Sequence, residues 1–245
     1  MSQANLSRPR RILLATDLTP RCDRALDRAV QLAEEFQAEL IAAYIMAPTD
    51  TPQYYLDRSR RSWGRIPDPV ERMGWRLRRD LGSAPYSIRA IVEEGDPAER
   101  LVDLATRENC DLVVTGNAGP ESLSRMIFGS TITRLIRGLK LPVLMVHDRP
   151  VRSYRNILIA TDFSEASLQA LQSTAALFPT SVLTLFHAYD IPYASFILDR
   201  DIEQELRSIE RDITARFMSY ARIDPDVKTR AAVVIEHGSP DTLLD

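Results

Sequence analysis

Short, uninterrupted apolar runs separated by longer amphipathic stretches set the rhythm of this chain. Ile12 to Thr16 is the first run, and the segment from about Arg21 to Phe36 follows with apolar residues at Ala25, Leu26, Ala29, Val30, Leu32 and Ala33. The first reads as a strand and the second as a helix with one apolar stripe. Leu40 to Met46 is the next strand, the longer and partly irregular segment Pro52 to Leu81 holds a second helix, and Tyr86 to Glu93 is a third strand. Pro97 suits the first turn of a helix running to about Asn109, because proline needs no N–H partner there. A strand over Asp111 to Thr115, a helix through about Arg137 and a last strand over Val143 to His147 complete the series. The strands are continuously apolar, the mark of strands buried on both faces. Alternation with helices predicts a doubly wound α/β domain: a parallel five-stranded sheet with right-handed crossovers.

The pattern then repeats. Arg11-Ile-Leu-Leu-Ala-Thr-Asp17-Leu-Thr parallels Asn156-Ile-Leu-Ile-Ala-Thr-Asp162-Phe-Ser, and Ala25-Leu26 match Ala170-Leu171 at the same offset. Ile41 to Pro48 parallels Thr184 to Pro192, and Val92-Glu-Glu-Gly95-Asp-Pro97 parallels Ile235-Glu-His-Gly238-Ser-Pro240. Landmarks kept in one order indicate duplication. The expected domains are residues 1–148 and 153–245, joined by a polar linker containing Asp148-Arg149-Pro150. Everything after Asp103 in the first copy lacks a counterpart in the second, which is therefore read as truncated. Such a copy exposes an apolar sheet edge along Ile157 to Ala160 unless another surface covers it. Ile202, Leu206, Ile209, Ile213 and Phe217 recur at helical spacing between Asp199 and Tyr220, the pattern of core packing.

Composition removes several classes. A hydrophobic fraction of 44% and a charged fraction of 27% are those of a globular protein, and a net charge of −3 gives no general attraction for nucleic acid. Met1 to Arg11 has no apolar core of a signal peptide, and no apolar run reaches the roughly 18–20 residues of a spanning helix. The expectation is a cytoplasmic protein without membrane contact. Cys22 and Cys110 form neither a disulfide framework nor a metal motif, and His147, His187 and His237 share no ligand spacing. Cys110 reads as a small core residue, Cys22 as a loop residue, and His187 as strand-end packing. Between Arg58 and Arg79, eight arginines are interleaved with Trp63 and Trp75. Asp57, Asp68, Glu71 and Asp80 dilute that charge, so the segment reads as a solvated helix with its tryptophans against the sheet rather than a nucleic-acid or membrane face.

The chemistry concentrates after the fourth strand. Gly116-Asn-Ala-Gly119 is followed, past Pro120 to Phe128, by Gly129-Ser130-Thr131. Glycines let backbone approach a phosphate, and free N–H groups at a helix start bind its oxygens. Asp17 closes the first strand; if strands one and four are neighbours, both features face one crevice. No P-loop lysine motif occurs, and a single carboxylate is thin equipment for phosphoryl transfer.

In these residues the chain resembles the universal stress protein family. Gly116, Gly119, Gly129 and Ser130 fit the family's ATP-binding spacing, and Ala15-Thr16-Asp17 and Gly95-Asp96-Pro97 match its other landmarks. The resemblance implies an adenine nucleotide alpha hydrolase-like fold and a stress-response regulator that binds ATP or a related adenine nucleotide with magnesium. It implies that Asp17 and the Ile45 backbone hold the adenosine end, that Gly116 and Gly119 admit ribose and phosphates, and that Gly129, Ser130 and Thr131 meet the phosphates. Asn117-Ala118 and Pro120 depart from the usual pattern, and Pro120 removes one N–H. No protein metal ligand is assigned. A nucleotide-free protein-interaction scaffold and a slow ATPase are the alternatives. Family dimers pair through the last strand, which implies a homodimer across Val143 to His147.

Overall fold

The computed structural model describes residues 8–47, 69–81, 88–116, 130–189 and 200–243. The chain packs into two compact units that meet in sequence at Val151 and Arg152.

In the first unit the strands are β1 (Arg11–Ala15), β2 (Glu39–Met46), β3 (Ile88–Glu94), β4 (Leu112–Gly116) and β5 (Val143–Val146). All neighbours are parallel, in the order β3-β2-β1-β4-β5. β1 is central, so Ile12, Leu13 and Leu14 are buried whichever face they point to. The helices are α1 (Asp23–Phe36), α2 (Pro69–Leu81), α3 (Pro97–Arg107) and α4 (Ser130–Gly138). A short 3-10 turn over Pro20–Cys22 leads into α1, so Cys22 sits at the end of a helical turn, half-buried, rather than in a loop. Gln37 ends α1 in the left-handed conformation, with its N–H on the Ala33 and Glu34 carbonyls. Asp96 caps α3 by accepting from the Glu99 N–H, with Pro97 next. Leu13, Ala15, Ile41, Ala43 and Ile45 form the core under α3 and α4 with Leu101, Leu104, Ala105, buried Cys110 and Leu135. Residues 86 and 87 of the expected third strand, and the part of the fourth helix before Ser130, lie outside the described residues.

The second unit contains β6 (Asn156–Ala160), β7 (Val182–Tyr189) and β8 (Ala232–His237), parallel and in that order. Its helices are α5 (Glu165–Leu177), α6 (Arg200–Tyr220), α7 (Pro225–Arg230) and α8 (Pro240–Leu243). Ser164 caps α5 and Asp224 caps α7. The duplication recurs atom for atom at the strand ends. Thr16 N–H donates to Ala43 O at 3.0 Å and Thr161 N–H to Phe186 O at 2.9 Å. Gly95 N–H donates to Met46 O at 3.0 Å and Gly238 N–H to Tyr189 O at 2.9 Å, each glycine at φ +142°. That conformation favours glycine, and at Gly95 a Cβ would also lie 2.8 Å from the Arg100 side chain.

Two expectations about helix faces need correction. Trp75 is not tucked against the sheet: it is 63% exposed, because Leu77 and Gly74 occupy the inward face of α2. Ile209 and Ile213 are not core residues either, at 49% and 43% exposure. Among the described residues, α6 reaches the core of this three-stranded unit through Phe217 and Met218, with Ala221 just past its end. The apolar edge at Ile157 to Ala160 is present as expected. β6 lies at the sheet margin with Leu158 49% exposed, whereas the equivalent Leu13 is completely buried.

Candidate functional site

Strand order reverses between β1 and β4, since the chain runs outward through β2 and β3 before returning to β4. At such a point the loops leaving two neighbouring strands diverge and open a crevice at their carboxyl ends. Ala15 pairs with Thr115 across that boundary, which puts Thr16 beside Gly116 at the strand ends. Gly116 is in turn paired with Val146 of β5. Ala15 and Gly116 are both buried, so the two strands end here in small residues.

The turn after β1 is tightly specified. Leu18 adopts φ +57°, a left-handed conformation costly for a leucine. Its N–H donates to Thr16 Oγ1 at 3.0 Å, and Arg76 Nη2 on α2 donates to its carbonyl at 2.7 Å. Asp17 Oδ1 accepts from the Thr19 N–H at 2.9 Å and from Thr19 Oγ1 at 2.7 Å. Partial burial pushes the Asp17 carboxyl upward, but the Thr19 hydroxyl, the Cys22 thiol and the Thr19 N–H outweigh it and hold the group below its ordinary value. Asp17 is thus an exposed, fixed carboxylate acceptor just past the end of β1. Burial first, and then the bond to the Asp17 carboxylate and its charge, outweigh the opposing bond to the Asp17 backbone and push the Cys22 thiol up to about 11, so it is a donor here and not a nucleophile.

Ile45 lies near the end of β2, buried and in register with Glu93. Ser130 and Thr131 open α4 and are exposed. α4 is tied down by Arg134, which donates to Asp96 at 2.8 Å and Glu99 at 3.1 Å in the first turn of α3. The Arg134 guanidinium and the Glu99 N–H hold Asp96 below its usual range. Gly119 and Gly129 lie outside the described residues. Ala15, Thr16, Asp17 and Gly116 are therefore brought together, Ile45 stands on the next strand, and Ser130 and Thr131 are the first described residues of α4. Among the described residues no three His, Cys, Asp or Glu side chains gather as a metal site would need.

The universal stress protein family profile matches residues 9–147, more than half of the chain. The chain belongs to this family. Universal stress protein Rv1636 of Mycobacterium tuberculosis is 32% identical over 145 residues, covering 56% of this chain and 94% of its own. Universal stress protein MJ0531 of Methanocaldococcus jannaschii is 28% identical over 141 residues, covering 56% of this chain and 81% of its own. A solved universal stress protein from Archaeoglobus fulgidus shares the fold across both units, with TM-score 0.61, 19% identity, and coverage of 96% of this chain and 81% of that one.

In this universal stress protein the second unit repeats the turn that follows β1. Phe163 sits at φ +60° with its N–H on Thr161 Oγ1 at 2.9 Å, and Asp162 Oδ1 accepts from the Ser164 N–H at 2.9 Å. Ser164, by side chain and N–H, and then Ser167 hold the Asp162 carboxyl at about 2. His187 packs as expected: its Nδ1–H donates to Thr161 O at 2.6 Å and its ring lies 4.7 Å from that of Phe163. Among the described residues no strand flanks β6 where β4 flanks β1. Sequence reading missed Thr19, Cys22 and Arg76. Thr19 carried a signal, a hydroxyl two residues after an aspartate, the spacing of a local turn. Arg76 carried none, since its partner lies on another element.

Proposed function

We propose that the first unit binds ATP or a related adenine nucleotide, and that occupancy regulates this stress protein rather than driving fast catalysis. One observation supports the reading: the turn that fixes the Asp17 carboxylate leaves β1 at the switch point, next to the strand that ends in Gly116. The family's glycine spacing then continues from Gly116 through Gly119 to Gly129 and Ser130. In this reading Ala15, Thr16 and Asp17, with the Ile45 backbone, hold the adenosine end. Gly116 and Gly119 admit the ribose and phosphates. Gly129, Ser130 and Thr131 meet the phosphates at the start of α4, where N–H groups and the helix dipole favour an anion. Magnesium fits this donor set only as a counter-ion held by phosphate oxygens and water, since the chain gathers no metal ligands among the described residues. The same reading includes a cytoplasmic homodimer through β5, and domain limits at residues 1–148 and 153–245.

Calorimetry with ATP and magnesium tests it. Wild type should bind at micromolar concentrations, and the Gly119→Val, Gly129→Val double variant should lose the heat. Equal heat from both proteins overturns the proposal. Phosphate release above the uncatalysed rate that disappears in Asp17→Asn would replace regulation with turnover.

A further inference from the structure

The outward face of α2 is the largest unexplained feature of the first unit. α2 turns Gly74 and Leu77 inward, with Leu77 fully buried. Arg72, Trp75 and Arg79, spaced three and four residues apart, therefore share the opposite face. Trp75 is 63% exposed there, and Arg72, Met73, Trp75, Arg76 and Arg79 line a shallow depression of about 500 Å³. A large exposed aromatic is an informative departure from ordinary surface, and tryptophan, arginine and methionine are the residues that interface centres favour.

The charge names the partner. Pro69–Leu81 carries Arg72, Arg76, Arg78 and Arg79 against Glu71 and Asp80, a local balance of +2 in a chain of net −3. A cationic rim around one apolar anchor fits a carboxylate-bearing segment with an apolar side chain. A nucleic-acid strand needs successive stacking platforms, and this face offers one indole among the described residues. Arg76 adds a connection inward. The guanidinium that lines the depression also donates to the left-handed Leu18 carbonyl at 2.7 Å, next to Asp17, while its Nε stands 3.9 Å from Asp80. A carboxylate arriving in the depression offers this guanidinium a charge-assisted bond, stronger than the one it makes to a neutral carbonyl.

We propose that the Trp75 face of α2 docks an acidic polypeptide segment, and that Arg76, shared between this face and the Leu18 turn, couples docking to the nucleotide crevice. The coupling rests on the nucleotide reading; the docking does not. The probe is a short fluorescein-labelled peptide of alternating glutamate and leucine, followed by anisotropy on the full chain, with labelled oligothymidylate in parallel. Wild type should bind the peptide saturably. Trp75→Ala, and separately Arg72→Glu with Arg79→Glu, should each weaken binding about tenfold with unchanged circular dichroism, since all three side chains are exposed. No binding at millimolar protein, unchanged affinity in both variants, or preference for oligothymidylate overturns the docking surface. Saturating ATP with magnesium should shift the peptide affinity about fivefold, and Arg76→Met should abolish the shift. A shift that persists in Arg76→Met, or none in a wild type that binds ATP, overturns the coupling. A wild type that binds peptide but not ATP removes the nucleotide reading and leaves the docking surface standing.

Discussion

Leu18 and Phe163 occupy the same strained position in two copies of one turn, at φ +57° and +60°. A left-handed conformation costs a side-chain-bearing residue on the order of 1–2 kcal/mol, so the surrounding bonds must over-determine it. In both copies a threonine hydroxyl takes the strained residue's N–H, and the aspartate takes the N–H of the hydroxyl residue beyond. These bonds are stronger to a carboxylate than to a carboxylic acid, which makes the turn pH-sensitive. Asp162 is held at about 2 against an ordinary 3.8. Its folded value is depressed, so its contribution is complete above the ordinary value and is lost as pH falls toward 2. Asp162→Asn should therefore melt below wild type at pH 6, with the two curves converging as pH is lowered from about 4 to 2. Curves that stay parallel through that window sink the assignment. The repeated Ala-Thr-Asp strand end was legible in sequence, and the turn it opens was overlooked although its bonds span only two residues; Arg76 was not legible, because it reaches Leu18 from across the fold.

At the scale of elements, the two units are an internal control for what a covering layer contributes. Leu13 and Leu158 stand at equivalent points of β1 and β6, yet one is completely buried and the other 49% exposed. α3 and α4 bury Leu13 through Leu101, Leu104 and Leu135, and among the described residues the second unit's counterpart of α3 is the four-residue α8, Pro240–Leu243. Leu13→Ala should cost about 3 kcal/mol and Leu158→Ala less than about 1 kcal/mol. Chemical denaturation of the two variants checks this, and equal costs would contradict the burial difference. The strands were readable as elements because continuous apolar runs between helices leave few alternatives. Trp75, Ile209 and Ile213 were misread because periodicity shows that a stripe exists and not how much of it meets another surface. α6 illustrates the point: its apolar stripe continues past the turns around Phe217 that meet the sheet.

For the whole molecule, the two margins of the first sheet differ in what they offer a neighbour. β3 carries Arg89, Glu93 and Glu94, and Arg89 is engaged by Glu39 at 2.6 Å and by Glu108. Charged margins resist pairing with another chain. β5, Val-Leu-Met-Val over Val143–Val146, carries no charge, and its first three residues are half-buried. Its outer row of N–H and C=O groups has no strand partner among the described residues. Self-complementary pairing of two such strands about a two-fold axis satisfies both rows at once and closes the assembly at two copies. Leu144 is the residue to change, since it belongs to β5 but not to the cluster beneath α3 and α4. At tens of micromolar, sedimentation equilibrium of wild type should give a dimer, and Leu144→Lys a monomer. Leu158→Lys, on the β6 margin, should leave the dimer intact. A monomeric wild type overturns the dimer outright, and a dimer broken by Leu158→Lys but not by Leu144→Lys moves the contact to β6, because only the strand that forms the seam is sensitive to a buried lysine.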